Sequence, residues 1–200
     1  TPGMLDADGT IRDLSGHVSD ITGATLDDAT LGRLRGIDPA TGRVLWKASK
    51  YLDYGTPAIA SVDGSSVVVT PGGELINPQD GSEVGDRLAG IEFIGPVAKD
   101  DKVYMIGHTR YPDKSVATHA TAYQLTRLPS GRVASRQLWD RKLSKERTYA
   151  SPAVSDERIY VLYKDGDVEV LSPRTGEQLS VVEALPTARN GSPSIAMGGG

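Results

Sequence analysis

Between residues 151 and 182 the apolar and polar positions follow the rhythm of a chain that folds back on itself every few residues. Asp167-Val168-Glu169-Val170-Leu171 alternates polar and apolar side chains, the period of a half-buried strand. Ile159-Tyr160-Val161-Leu162-Tyr163, just before it, is β-branched and aromatic, which suits a packed, pleated surface. The intervening Lys164-Asp165-Gly166 is a hairpin signal, because Gly accepts the positive φ of a tight turn. A first strand at 151–154 is separated by the polar turn Ser155-Asp156-Glu157-Arg158, and a fourth at 177–182 follows Ser172-Pro173-Arg174-Thr175-Gly176. The stretch therefore predicts four strands joined by hairpins. No segment shows a capped, 3.6-residue periodicity long enough to compete as a helix.

The same course recurs along the chain. Strands are predicted at 57–60, 66–70 and 74–77, separated by Val62-Asp63-Gly64 and Pro71-Gly72-Gly73, with an outer strand after Pro78-Gln79-Asp80-Gly81. Others fall at 96–98, 102–107, 117–125 and 132–139. Each unit opens on a small residue, Pro, and then small or β-branched residues: Thr56-Pro57-Ala58-Ile59, Gly95-Pro96-Val97-Ala98, Ser151-Pro152-Ala153-Val154 and Ser192-Pro193-Ser194-Ile195. These prolines are 39, 56 and 41 residues apart, and Pro2 lies 55 before Pro57. The base period of about 40 residues, with two enlarged units, is the length of a four-stranded blade. An all-β fold follows, a β-propeller of four-stranded antiparallel blades at approximately 1–50, 51–90, 91–145 and 146–185, with the start of another at 186–200.

Gly36-Ile37-Asp38-Pro39-Ala40-Thr41-Gly42-Arg43-Val44-Leu45-Trp46 resembles the tryptophan-docking motif of the pyrroloquinoline-quinone-type (PQQ-like) propeller repeats, Ala-x-Asp-x-x-Thr-Gly-x-x-x-Trp, with Gly36 in the place of Ala. The resemblance implies structural roles for Asp38, Thr41, Gly42 and Trp46, the indole covering the neighbouring blade. Aligned on this copy, Asn77 takes the Asp38 place and Gly85 the Trp46 place in the second unit, and Thr175-Gly176 is followed by Ser180 in the fourth. Trp139 stands eight residues after Gly131 rather than four, which leaves open whether it docks in the same way. The family includes quinone-dependent dehydrogenases, an outer-membrane assembly lipoprotein with an eight-bladed propeller, and extracellular sensor domains. Seven or eight blades of about 40 residues would need roughly 280–320 residues. The resemblance therefore implies an incomplete propeller whose remaining blades are missing, with unpaired blade surface at both ends that is an aggregation risk.

Composition narrows the function classes. Lys and Arg number 22 against 26 Asp and Glu, a net charge of −4 that argues against general nucleic-acid binding. The longest apolar runs, such as Val67-Val68-Val69, are far short of the roughly 20 residues of a membrane span. With no Cys, disulfides, thiol nucleophiles and Cys-ligated metals are excluded; this does not fix the compartment, since many cytosolic proteins also lack Cys, but it suits a bacterial periplasmic or extracellular setting, which is the expectation. The opening Thr1-Pro2 leads us to expect that the true N-terminus is missing.

The extra residues of the two enlarged units, within 15–42 and at 108–116, both fall between the second and third strands of a blade. Such loops emerge on the same face as the connections between blades, and loops on a rigid scaffold are where binding usually resides. That face collects Tyr51, Tyr54, Phe93, Arg110, Tyr111, Arg147 and Tyr149, of the residue types enriched at interfaces. His108, Asp113 and His119 are the weak candidates for a metal; without a third His or a Cys, coincidence is the stronger reading, and no metal is expected. Asp6-Ala7-Asp8-Gly9 departs from the calcium-loop pattern and fits a hairpin turn. Neither a Gly-x-Ser-x-Gly elbow nor a phosphate-binding Gly-rich loop is present. The expectation is a non-catalytic scaffold, without cofactor, that binds a protein, small-molecule or glycan ligand in a bacterial envelope. Two alternatives stay open. One is a fragment of a quinone-dependent dehydrogenase using PQQ and calcium; the other is a hydrolase or lyase completed by missing blades.

Overall fold

A computed structural model describes residues 3–5, 11–13, 33–50, 55–110, 116–145, 147–184 and 195. Every helix or strand among them is a strand, and strands adjacent in sequence are adjacent and antiparallel in the sheets. The chain divides into two compact units, residues 1–51 with Gln79–Gly81, and the remainder. No helix among the described residues is long and apolar enough to cross a membrane.

In the first unit β1 (Gly3–Leu5) pairs with β2 (Ile11–Asp13), and β3 (Arg33–Ile37) with β4 (Val44–Ser49). The β3–β4 turn is built from the motif residues. Asp38 accepts from the Ala40 amide at 2.9 Å and from Thr41 Oγ1 at 2.8 Å, while the Gly42 amide donates to the Asp38 carbonyl at 2.8 Å. Gly42 has φ 69°, the left-handed conformation that favours glycine. The bond from Thr41, followed by that from Ala40, holds the Asp38 carboxyl below its ordinary range. Trp46 pairs with Gly36 just before a bulge, and its ring lies against Gly81, where an added Cβ would come within 2.5 Å of the indole.

The second unit holds three sheets: β5 (Ala58–Val62), β6 (Ser65–Val69) and β7 (Leu75–Ile76); β8 (Val97–Lys99), β9 (Lys102–Arg110), β10 (Val116–Arg127) and β11 (Val133–Lys142); and β12 (Ala153–Val154), β13 (Ile159–Leu162), β14 (Asp167–Leu171) and β15 (Gln178–Glu183). The first strands of successive sheets are neighbours, β5 beside β8 and β8 beside β12. The predicted alternation is used on both faces. On β9, Val103 and Met105 join one core layer with Val67, Val69 and Leu75, while Tyr104 and Ile106 join the next with Val161, Tyr163 and Leu171. Burying each such side chain stabilises the stack by about 1.5–3 kcal/mol. At one end the inner hairpin turns lock together: the Ser61 amide donates to the Asp100 carbonyl at 2.8 Å, the Arg127 amide to Asp63 at 2.9 Å, and Lys99 pairs with Asp156 at 2.5 Å.

The four-strand plan holds in two of these sheets. In the β5–β7 sheet the predicted outer strand is reduced to a single bridge, Ile76 with Glu83. The reason lies two residues on. Gly85 forms a parallel bridge with Val133, and the Val133 amide donates to the Val84 carbonyl at 2.7 Å, so this backbone is drawn to β11 instead of continuing beside β7. A side chain at Gly85 could not allow it: an added Cβ would lie 2.4 Å from the Val133 carbonyl oxygen.

Trp139 proves equivalent to Trp46 by register, not by spacing. It pairs with the small Ala122 immediately before a bulge, as Trp46 pairs with Gly36. Its ring lies over Gly176, and its indole N–H donates to the Pro173 carbonyl at 2.8 Å, satisfying the one polar group of a buried side chain.

Candidate functional site

The segment 91–94 is pinned at both sides. Ile91 and Ile94 are buried, the Ile91 amide donates to the Pro71 carbonyl at 2.9 Å, and Glu92 bridges to His108 on β9 through its amide at 3.1 Å. Gly107 makes room for Ile91 and Ile94, whose side chains an added Cβ would meet at 3.0 Å. Between these anchors Phe93 is turned outward at φ 69°, a conformation that a bulky residue adopts only when its surroundings impose it. Phe93 is 41% exposed.

Phe93 meets two other rings. The Phe93 and His108 centroids are 5.5 Å apart, His108 and Tyr149 5.5 Å, and Phe93 and Tyr149 6.5 Å, all edge to face, the arrangement that pairs a positive ring edge with a negative ring face. His108 is 2% exposed at the base of the cluster and accepts the Thr148 amide at Nε2, 3.0 Å away. Thr148 is itself held by its hydroxyl, which donates to the Leu162 carbonyl at 2.7 Å, with the Ala150 carbonyl 3.2 Å away as the alternative acceptor. Arg147 donates to the Tyr149 hydroxyl at 3.4 Å. Burial, and then the Arg147 charge, lower the His108 pKa, with Glu92 opposing.

Four residues from three separate stretches of sequence, Phe93, His108, Arg147 and Tyr149, thus form one patch. Three of them belong to the predicted face. Arg110 ends β9, and its side chain is not described; Tyr51, Tyr54, Tyr111 and Asp113 lie outside the described residues. The metal candidates do not share a face. His108 is paired with Thr118, whereas His119 is its neighbour on β10 and projects to the opposite side of the sheet. There, His119 Nδ1 lies 3.3 Å from Asp140, which also accepts from Thr121 at 2.7 Å, beside a cleft of about 360 Å³ that Tyr123 and Gly90 help to line. His108 was legible as chemistry in the sequence but not as the base of the aromatic patch, because that depends on which face of β9 the neighbouring sheet covers.

The model of the family described as outer membrane protein assembly factor BamB matches residues 30–198. Among curated proteins, one from Burkholderia ambifaria (strain MC40-6) named "Putative hydrolase" is 70% identical over 40 residues, which are 20% of this chain and 14% of that protein. A protein of Burkholderia multivorans (strain ATCC 17616 / 249) is 68% identical over 40 residues, with the same coverage of 20% and 14%. The match therefore spans about a seventh of these relatives. Among solved structures, BamB from Moraxella catarrhalis shares 16% identity with a TM-score of 0.49, covering 78% of this chain and 44% of its own. The computationally designed Ika8 protein shares 14% identity with a TM-score of 0.51, covering 84% and 48%. At that identity the likeness to Ika8 concerns the fold alone. With the family model covering most of the chain, motif turns and stacked antiparallel sheets included, this chain belongs to the PQQ-like repeat family described as outer membrane protein assembly factor BamB.

Proposed function

We propose that this chain is part of a β-propeller that serves as a binding scaffold rather than an enzyme, and that it takes a protein or small ligand, in a bacterial envelope, on the face bearing Phe93, Arg147 and Tyr149. The observation that carries the reading is Phe93, an aromatic side chain held outward in a left-handed backbone conformation beside a second exposed ring. Strain of that kind persists where the surrounding structure imposes it, and such positions cluster at functional sites. The family description supports an envelope role. The patch suits a partner presenting an apolar or aromatic side chain next to a carboxylate, which Arg147 would pair. Closure into a ring of four-stranded blades, with Trp46 and Trp139 docking each blade on the next, belongs to the same proposal; the two four-stranded sheets and the adjacent first strands support it. The hydrolase name of the Burkholderia relatives belongs to proteins matched over 14% of their length and is not transferred.

The test is site-specific photocrosslinking in cells, with benzoylphenylalanine placed at Phe93 or Tyr149 and, as control, at Ser130 on a turn at the other end of the sheets. A discrete partner captured from 93 and 149 but not from 130 is expected. Phe93→Ala, Arg147→Ala and Tyr149→Ala, together with Arg110→Ala and Tyr111→Ala, should then weaken its binding, the largest effects reaching about 2 kcal/mol or more, without lowering the melting temperature. Unchanged affinity across the series would remove this face from consideration.

A further inference from the structure

We propose that His108 is a pH-operated latch for this face: the neutral ring holds the Thr148 backbone and the Phe93 and Tyr149 rings in place, and protonation releases them. The inference rests on the binding-face reading for its consequence, but not for its mechanism. Nε2 of His108 accepts the Thr148 amide at 3.0 Å, so the neutral ring carries its proton on Nδ1. Once Nε2 is protonated, two donors face each other across that distance, and a buried hydrogen bond is lost.

What moves is decided by the anchors. Thr148 Oγ1 is bound to Leu162 and Ala150, the Arg147 carbonyl accepts the Lys164 amide at 3.2 Å and β9 is paired on both sides, so the displacement falls on Tyr149. Phe93 loses its edge contact with the His108 ring, while the backbone anchors of the 91–94 segment, the Ile91 amide on Pro71 and the Glu92 amide on the His108 carbonyl, stay in place. Among the described residues the charges acting on the ring come from two segments, Arg147 opposing protonation and Glu92 favouring it; Thr118, the cross-strand neighbour on β10, adds none. Burial, and then Arg147, prevail over the groups that favour protonation, so the folded protein takes up this proton less readily than the unfolded chain. The latch is held above the ordinary imidazole value of 6.5 and lost as the pH falls through the lower value of the folded state.

The experiment follows the full chain by NMR through an acid titration, reading the His108 Cε1 signal, the Phe93 and Tyr149 ring signals, and exchange of the Thr148 amide corrected for its intrinsic pH dependence. Thr148 exchange is expected to accelerate about tenfold, the equivalent of one hydrogen bond, with the midpoint of His108 and of both rings. His108→Gln, which keeps an acceptor near the Nε2 position, should abolish the step. Protonation of His108 without loss of Thr148 protection would overturn the latch, as would a step that survives in His108→Gln, or protonation only with global unfolding. No partner enters these measurements, so a patch that opens with acid yet binds nothing would refute the binding reading alone.

Discussion

At the scale of single residues, two glycines separate backbone conformation from packing. Gly131 and Gly176 both close outer hairpins at positive φ, 84° and 71°. An added Cβ at Gly131 meets nothing within 4 Å, whereas at Gly176 it would lie 2.6 Å from the Trp139 ring. Gly131→Ala is therefore expected to cost only the left-handed strain, about 1–2 kcal/mol. Gly176→Ala carries that strain and must also displace the indole and its bond to Pro173, adding about 1–3 kcal/mol. Urea denaturation of the two variants checks the order; equal losses would mean that the Trp139 ring does not rest on this turn.

Among strands and hairpins, the least predictable feature is a carboxylate inside a core layer. The alternation of β14 places Glu169 on the same side as Leu171, and it is fully buried there. Its Oε2 accepts from the Tyr163 hydroxyl, from Ser144 Oγ at 2.6 Å and from the Ser144 amide at 3.2 Å, joining β14 to the segment after β11. Burial, and then the bond to Glu169, push the Tyr163 phenol well above its ordinary pKa, so it remains a donor throughout the physiological range. Tyr163→Phe removes one donor and is expected to cost about 1–2 kcal/mol. Glu169→Ala strands the Tyr163 hydroxyl and both Ser144 donors and opens a void, with an expected loss of about 3–5 kcal/mol. Thermal and urea unfolding should place Glu169→Ala below Tyr163→Phe; the reverse order would deny the carboxylate its linking role.

The same elements show what the sequence discloses and what it conceals. Hairpin turns were legible because Asp165-Gly166 and Asp63-Gly64 carry their conformation in residue type, and the grouping of Phe93 with Arg147 and Tyr149 followed from strand order. The bulges at Gly36/Ile37 and Ala122/Tyr123 were not legible, yet they fix the tryptophan register, while the one at Val170/Leu171 sets Ser180 in the corresponding place. Spacing from the turn misleads for Trp139 because the β10–β11 hairpin is longer than β3–β4, while the small residue opposite the indole is retained. Phe93 was legible as an exposed aromatic candidate but not as strained, since its positive φ comes from the anchoring of Ile91 and Ile94 and no local signal marks it.

For the second unit, alternation that buries both faces of an inner sheet leaves an outermost strand that nothing covers among the described residues. All six residues of β15 are exposed, Leu179, Val181 and Val182 among them, and β14 is its one neighbour in the sheet. An edge of this kind is a template for pairing with another copy. Antiparallel pairing centred on Ser180 would set Leu179 against Val181, which favours association, but also Glu177 against Glu183, and like charges placed opposite each other are destabilising. The predicted self-association is therefore weak and strengthens with added salt, which screens the glutamates and leaves the apolar pair intact. Sedimentation velocity across the micromolar range should show an average mass that rises with concentration and with salt, and Val181→Lys should return it to the monomer value. Association that weakens with salt would mean that attraction between charges, not the apolar edge of β15, joins the copies.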